Sequence, residues 1–246
     1  MIDIHSHILP CLDDGAGSVE ESVAMFRIAA KEGITSIITT PHCYGHRRSA
    51  SPEKIQERIA RVQKELLQEK IPIHLYAGNE IYYRQGVEEE LEKGKINTLA
   101  GSQYVLVEFH PGEDYQYINR ALNSLSRYGY CPILAHVERY DNLFVKKGRV
   151  EDLKNSGVQM QINASSITAK GLVNTYRNRA FLLLKEQIAD YIATDAHSDR
   201  QRAPQIQECE VILKKRAGYE YAQKLLIENA EHILLCGKKK DTREER

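Results

Sequence analysis

The apolar positions of this chain follow two alternating rhythms. In the first eight residues Ile2, Ile4, Ser6 and Ile8 alternate with Asp3, His5 and His7, the two-residue period of a strand. Six further apolar, β-branched-rich runs read as strands, at residues 34–40, 71–77, 104–107, 132–135, 158–163 and 188–194. Between them the spacing turns helical. Val19, Val23, Phe26 and Ala30 share one face, and so do Ile55, Ile59, Val62 and Leu66,. Ser18 with Glu21 forms a capping box ahead of the first helix, and Gly33 stops it. Ser51-Pro52 opens the second. Further helices are predicted over residues 87–93, 118–128, 150–156, around 181–184, over 205–216, and over 220–235 with a break near Asn229.

Strands alternating with helices imply a parallel sheet, and seven in one chain imply an α/β barrel or a large open sheet. The 246 residues suit a barrel built as one domain,. No composition shift marks a boundary, so residues 1–236 are expected to form a single domain. Residues 237–246, all charge and turn formers, are expected to form a disordered tail,.

The strand ends carry the chemistry. Six of the seven runs finish in residues able to bind a metal: His5 and His7, His42, Glu80, Glu108, His136, and Asp195 with His197. In a βα barrel all these ends face one side, where active sites are built. Asp14, in the first βα loop, lies on that side too. A single His or Glu at a strand end more often caps a helix; the coincidence across six ends argues for metal. Nitrogen and oxygen donors without thiolate suit zinc, manganese or iron, and the set is too large for one ion, so two to three are implied. Of the other histidines, His46 and His110 are possible neighbours of the site, and His74 and His232 read as ordinary surface residues.

Composition removes several alternatives. Lys+Arg 34 against Asp+Glu 34 balances to zero, which does not point to nucleic acid or a membrane surface. Five scattered cysteines without a C-x-x-C pair read as reduced thiols,. There is no apolar run of roughly 20 residues for a membrane span and no basic leader, so a cytoplasmic protein is expected. A cysteine-based tyrosine phosphatase needs Arg six positions after its nucleophile. Here those positions hold Gly17, Ser49, Val137, Lys215 and Thr242, so that mechanism is rejected.

With these residues in view the chain resembles the polymerase-and-histidinol-phosphatase (PHP) family of trinuclear metal phosphoesterases. More narrowly, it is similar to the PHP-type tyrosine-protein phosphatases of bacterial capsule and exopolysaccharide operons. The resemblance rests on Ile2–Ile8 (Ile-Asp-Ile-His-Ser-His-Ile), Asp13-Asp14-Gly15, Glu80-Ile81-Tyr82-Tyr83, Val107-Glu108-Phe109, Ala135-His136-Val137-Glu138-Arg139-Tyr140, Gln161-Ile162-Asn163 and Asp195-Ala196-His197. It implies a distorted seven-stranded βα barrel. It implies one metal at His5, His7, Glu80 and Asp195, a second at Glu80, Glu108 and His136, and a third at Asp14, His42 and His197. Manganese is the first choice, with iron or zinc as alternatives.

By the same resemblance Arg139 and Arg202 contact the substrate phosphate, with Arg200 a near neighbour of the second, and His136 joins the catalytic set. Phe109-His110-Pro111 and Arg47-Arg48 look individual to this chain. The implied substrate is a phosphotyrosine protein, the tail of an autophosphorylating bacterial tyrosine kinase. A hydroxide bridging two ions would attack phosphorus, and a phenolate leaving group reduces the need for a general acid. The alternatives are a small-molecule phosphatase of the histidinol-phosphate type, then a nuclease. A non-catalytic metal-binding module is a further alternative, but it would be expected to have lost ligands or arginines that are all present here. Tyr82, Tyr83 and Tyr140 read as packing residues around the barrel mouth.

Overall fold

The computed structural model describes residues 1–45, 49–171 and 174–244, with side chains as far as Gly237; His46, Arg47 and Arg48 lie outside the described residues. The seven predicted runs become seven passes of a curled parallel sheet. Two passes are bent, so the strands are β1 (Ile2–Asp3), β2 (Ser36–Thr39), β3 (His42–Cys43), β4 (His74–Ala77), β5 (Glu80–Tyr82), β6 (Tyr104–Glu108), β7 (Cys131–Leu134), β8 (Gln159–Asn163) and β9 (Tyr191–Ala193). Their order is β1-β2-β4 below and β3-β5-β6-β7-β8-β9 above, with every pairing parallel.

The bends have sequence causes. Pro41 has no N–H to continue the ladder between β2 and β3. At Gly78, between β4 and β5, a Cβ would stand 2.9 Å from Leu99 and 3.0 Å from Ile38. Asn79 replaces the lost ladder bonds: its Nδ2 donates to Pro41 O at 2.9 Å, and its Oδ1 accepts from Asn97 N at 2.9 Å. The seam between last and first passes closes through Asp195 N to His5 O (2.9 Å) and His7 N to Ala196 O (2.8 Å). Asp3 extends that seam, its carboxylate accepting from Thr194 N at 3.0 Å and Thr194 Oγ1 at 2.5 Å. The first pass is therefore shorter as a regular strand than its eight alternating residues predict. Beyond Asp3 it bends, and Thr40 satisfies both backbone groups of Ser6.

Alternation along each strand divides the core. Val105 and Val107 of β6 join the layer between sheet and outer helices, with Phe26, Val62, Leu66, Leu122 and Leu125. Tyr104 and Leu106 face inward with Ile2, Ile4, Ile38, Ile133 and Ala193, where Ala230, Ile233 and Leu234 of the last helix plug the barrel from below.

The helices largely follow their predicted caps. Ser18 accepts from Glu21 N ahead of Val19–Lys31, and Ser51 accepts from Lys54 N ahead of Pro52–Gln68. The Glu21 carboxylate bonds Gly17 N instead of completing the box on Ser18. The helix predicted from Ile118 begins earlier, at Tyr115, because Asp114 caps Gln116 N and Tyr117 N. Two short helices, Asp141–Phe144 and Ala164–Thr168, span too few residues to show a period. The break predicted near Asn229 is a π-helical turn, Lys224–Glu228, just before it.

The last helix runs over Asn229–Glu244. Gly237 serves close packing here, where composition suggests a stop: a Cβ at this position would fall 2.0 Å from Ala100 O.

Candidate metal centre

The bends and the seam bring the predicted donors to one end of the sheet. β3 pairs with β5 in the register His42↔Glu80, and β5 pairs with β6 as Tyr82↔Glu108. Candidate ligands distant in sequence become neighbours in this way. The donor atoms fall into three groups whose members all lie within 4.8 Å of one another: His5, His7, Glu80 and Asp195; His7, Asp14, His42 and His197; and His42, Glu80 and Glu108. His136 stands at the edge of the third, its Nε2 3.0 Å from Glu80 Oε1 and 3.6 Å from Glu108 Oε2. All nine predicted ligands are therefore brought together.

Glu80 is the hub. Its Oε2 lies 3.1 Å from His5 Nε2, from His7 Nε2 and from His42 Nδ1, while Oε1 faces His136. His42 spans two groups, with Nδ1 3.0 Å from Glu108 Oε1 and Nε2 3.4 Å from Asp14 Oδ1. The family resemblance groups His42 with Asp14 and His197 alone; in the structure its ring reaches both sides.

Two features test whether cations fit. The Nε2 atoms of His5 and His7, each a lone-pair donor to a metal, face each other at 3.3 Å. The buried Nδ1 of His42 sits close to Glu80 and Glu108 yet has no hydrogen-bond partner among the described residues. Converging buried lone pairs and carboxylates are costly alone and are what divalent ions organise. The residues fit such ions.

Electrostatics follow from that crowding. Burial opposes charge on His7, but the Asp13 and Glu80 carboxylates outweigh it and push it up to about 10. His136, also buried, is pushed up to about 9 by Glu108 and Glu80. Burial and the charge of His7 hold His197 down to about 4. Against the cost of burial, surrounding imidazoles hold Glu80 well below the carboxylate range, and His5 leads the same effect on Asp195.

A second layer aims the candidate donors. Asp13 Oδ2 takes His7 Nδ1 at 2.7 Å and the His42 N–H at 2.9 Å, while Gly15 N holds its other oxygen. Gln161 Oε1 meets His5 Nδ1 at 3.0 Å and accepts the His136 N–H at 3.0 Å. Gln161 Nε2 donates to Asn163 Oδ1, and Asn163 Nδ2 donates to Asp195 Oδ2 at 2.7 Å. His136 and Asp195 both sit at positive φ, 37° and 52°, backbone strain of the kind that collects at functional sites.

The two expected arginines meet at Asp195. Arg139 Nη2 lies 3.1 Å and Arg202 Nη2 2.7 Å from Asp195 Oδ2. The Arg200 side chain is 88% exposed and turns to its neighbour Asp199. His110 is exposed, and its Nδ1 accepts from Gly112 N at 3.2 Å. Tyr140 is buried with its hydroxyl accepting from Phe109 N. Sequence reasoning missed the orienting work of Asp13, Gln161 and Asn163. The acidic pair ahead of Gly15 was the available signal for the first.

Comparison with known proteins agrees with this arrangement. Residues 1–235 match the family described as capsular polysaccharide synthesis, CpsB/CapC. The tyrosine-protein phosphatase CpsB of Streptococcus agalactiae serotype III is 33% identical over 242 residues, covering 95% of this chain and 98% of that protein. The tyrosine-protein phosphatase YwqE of Bacillus subtilis is 34% identical over 235 residues, covering 95% and 91%. Crystal structures of YwqE from Bacillus subtilis and CpsB from Streptococcus pneumoniae, described as unique metal-dependent tyrosine phosphatases, include a match at TM-score 0.89 and 33% identity, covering 96% of this chain and 94% of that one. Histidinol phosphate phosphatase from Lactococcus lactis shares the fold alone, at 15% identity and TM-score 0.58, covering 89% and 95%.

Proposed function

Because the chain belongs to the CpsB/CapC family of capsular polysaccharide synthesis, we propose that it is a metal-dependent protein-tyrosine phosphatase of capsule or exopolysaccharide synthesis. The observation that supports this most is the gathering of nine donor residues around the buried carboxylates Glu80 and Asp195, with Arg139 and Arg202 both on Asp195. Divalent ions bound there would make a coordinated water acidic and offset charge on phosphoryl oxygens. Manganese is the ion we assign, in two to three positions.

The protein's own residues then have distinct tasks. His5, His7, Asp14, His42, Glu80, Glu108, His136, Asp195 and His197 hold the ions. Arg139 and Arg202 grip the phosphoryl group, their guanidinium forks matching its oxygens. Both lie against Asp195. His136, beside Glu80 and Glu108, borders the space where phosphorus is attacked. Phenolate leaves without needing a strong general acid.

The mouth favours a protein substrate. Asp14 is 66% and Arg202 44% exposed, an open rim that suits a side chain presented on a larger chain. The substrate we assign is a tyrosine-rich tail of a bacterial tyrosine kinase, met in the cytoplasm. No helix among the described residues is long and apolar enough to cross a membrane. The test is phosphate release from a phosphotyrosine peptide and from histidinol phosphate, side by side with Mn²⁺. Faster release from the peptide is expected; preference for histidinol phosphate would overturn the substrate assignment.

A further inference from the structure

Rings run in a continuous file from the buried donors to solvent. The His197 and His7 centroids are 3.9 Å apart, His7 and His42 4.4 Å, His42 and Tyr44 5.0 Å, and Tyr44 and Tyr82 5.6 Å. The three imidazoles are ligands and almost wholly covered. Tyr44, just past β3, is the first ring that is not a ligand and the first that meets water, at 44% exposure. Tyr82 ends β5 opposite Glu108. Tyr44 thus follows His42 at the end of β3, and Tyr82 shares β5 with Glu80 and faces Glu108 on β6. An aromatic ring left half in water beside the donors offers a surface on which another ring gains from stacking.

We propose that Tyr44 and Tyr82 form the aryl-binding wall of the site, against which the ring of a phosphotyrosine lies while its phosphoryl group reaches the donors. The inference rests on the phosphatase reading and deepens it. The arginines recognise phosphate, which every phosphoester has, whereas the tyrosine wall recognises the aryl group, which phosphoserine lacks. Selectivity for aryl esters therefore resides at the rim.

The test uses binding to the Mn²⁺-loaded protein by calorimetry, with phenylphosphonate and methylphosphonate as probes that are not hydrolysed. Tyr44→Ala and Tyr82→Ala are each expected to weaken phenylphosphonate by about two- to tenfold, with methylphosphonate and Mn²⁺ affinities unchanged. Tyr44→Phe is expected to retain the aryl preference. Equal losses for both phosphonates, a loss of Mn²⁺ affinity, or no change in either alanine variant would overturn the wall; the second would mean that Tyr44 only shields His42. A wild-type protein that releases no phosphate from a phosphotyrosine peptide would instead remove the reading beneath it.

Discussion

Asp13 serves two of the candidate ligands at once, fixing the His7 ring through Nδ1 and receiving the backbone N–H of His42. Orienting partners of this kind typically carry a large share of metal affinity. Asp13→Ala is expected to weaken Mn²⁺ binding by about 10- to 100-fold, read by titration calorimetry. The arginines separate in a second experiment. Arg202→Ala should lower kcat/KM on a phosphotyrosine peptide by about 10²–10³-fold, and Arg200→Ala should leave it unchanged; equal effects would show that the exposed Arg200 swings into the site. Eight of the nine candidate ligands were legible in the sequence because they close apolar runs, and Asp14 because the first loop lies on the same side. Asp13 was not, because its reach to His7 depends on how the loop turns at Gly15. Gln161 and Asn163 stood out only as part of a motif carrying the family resemblance, without a role, because their reach to His5, His136 and Asp195 depends on the sheet's closure.

Strand passes were legible as elements, but their bends were not. Nothing in the periodicity shows that the second and third passes break at Pro41 and Gly78, and those breaks turn His42 and Glu80 toward each other. The last helix offers a test of close packing, since a Cβ at Gly237 would fall 2.0 Å from Ala100 O. Gly237→Ala should lower stability by about 2 kcal/mol, a Tm lower by about 4–8 °C in a thermal melt. An unchanged Tm would show that this contact contributes nothing.

As a whole the molecule is a curled parallel sheet with apolar residues packed inside and below and a polar, buried donor set at its mouth. Ions and protons compete for that set. The carboxylates around His7 and His136 outweigh burial and push them up to about 10 and about 9. A bound cation takes the nitrogen that the proton would occupy, so binding expels protons. Mn²⁺ affinity should therefore rise with pH from the ordinary histidine value of 6.5 toward 9, followed by titrations across that range; affinity independent of pH would contradict the assignment of these imidazoles. The most direct measurement is phosphate release from a phosphotyrosine peptide by protein stripped with EDTA, then resupplied with Mn²⁺, in wild type and His136→Ala. Release that disappears on stripping, returns with Mn²⁺ and is absent from the variant is the predicted result. Release that survives both stripping and His136→Ala would contradict the metal-dependent account.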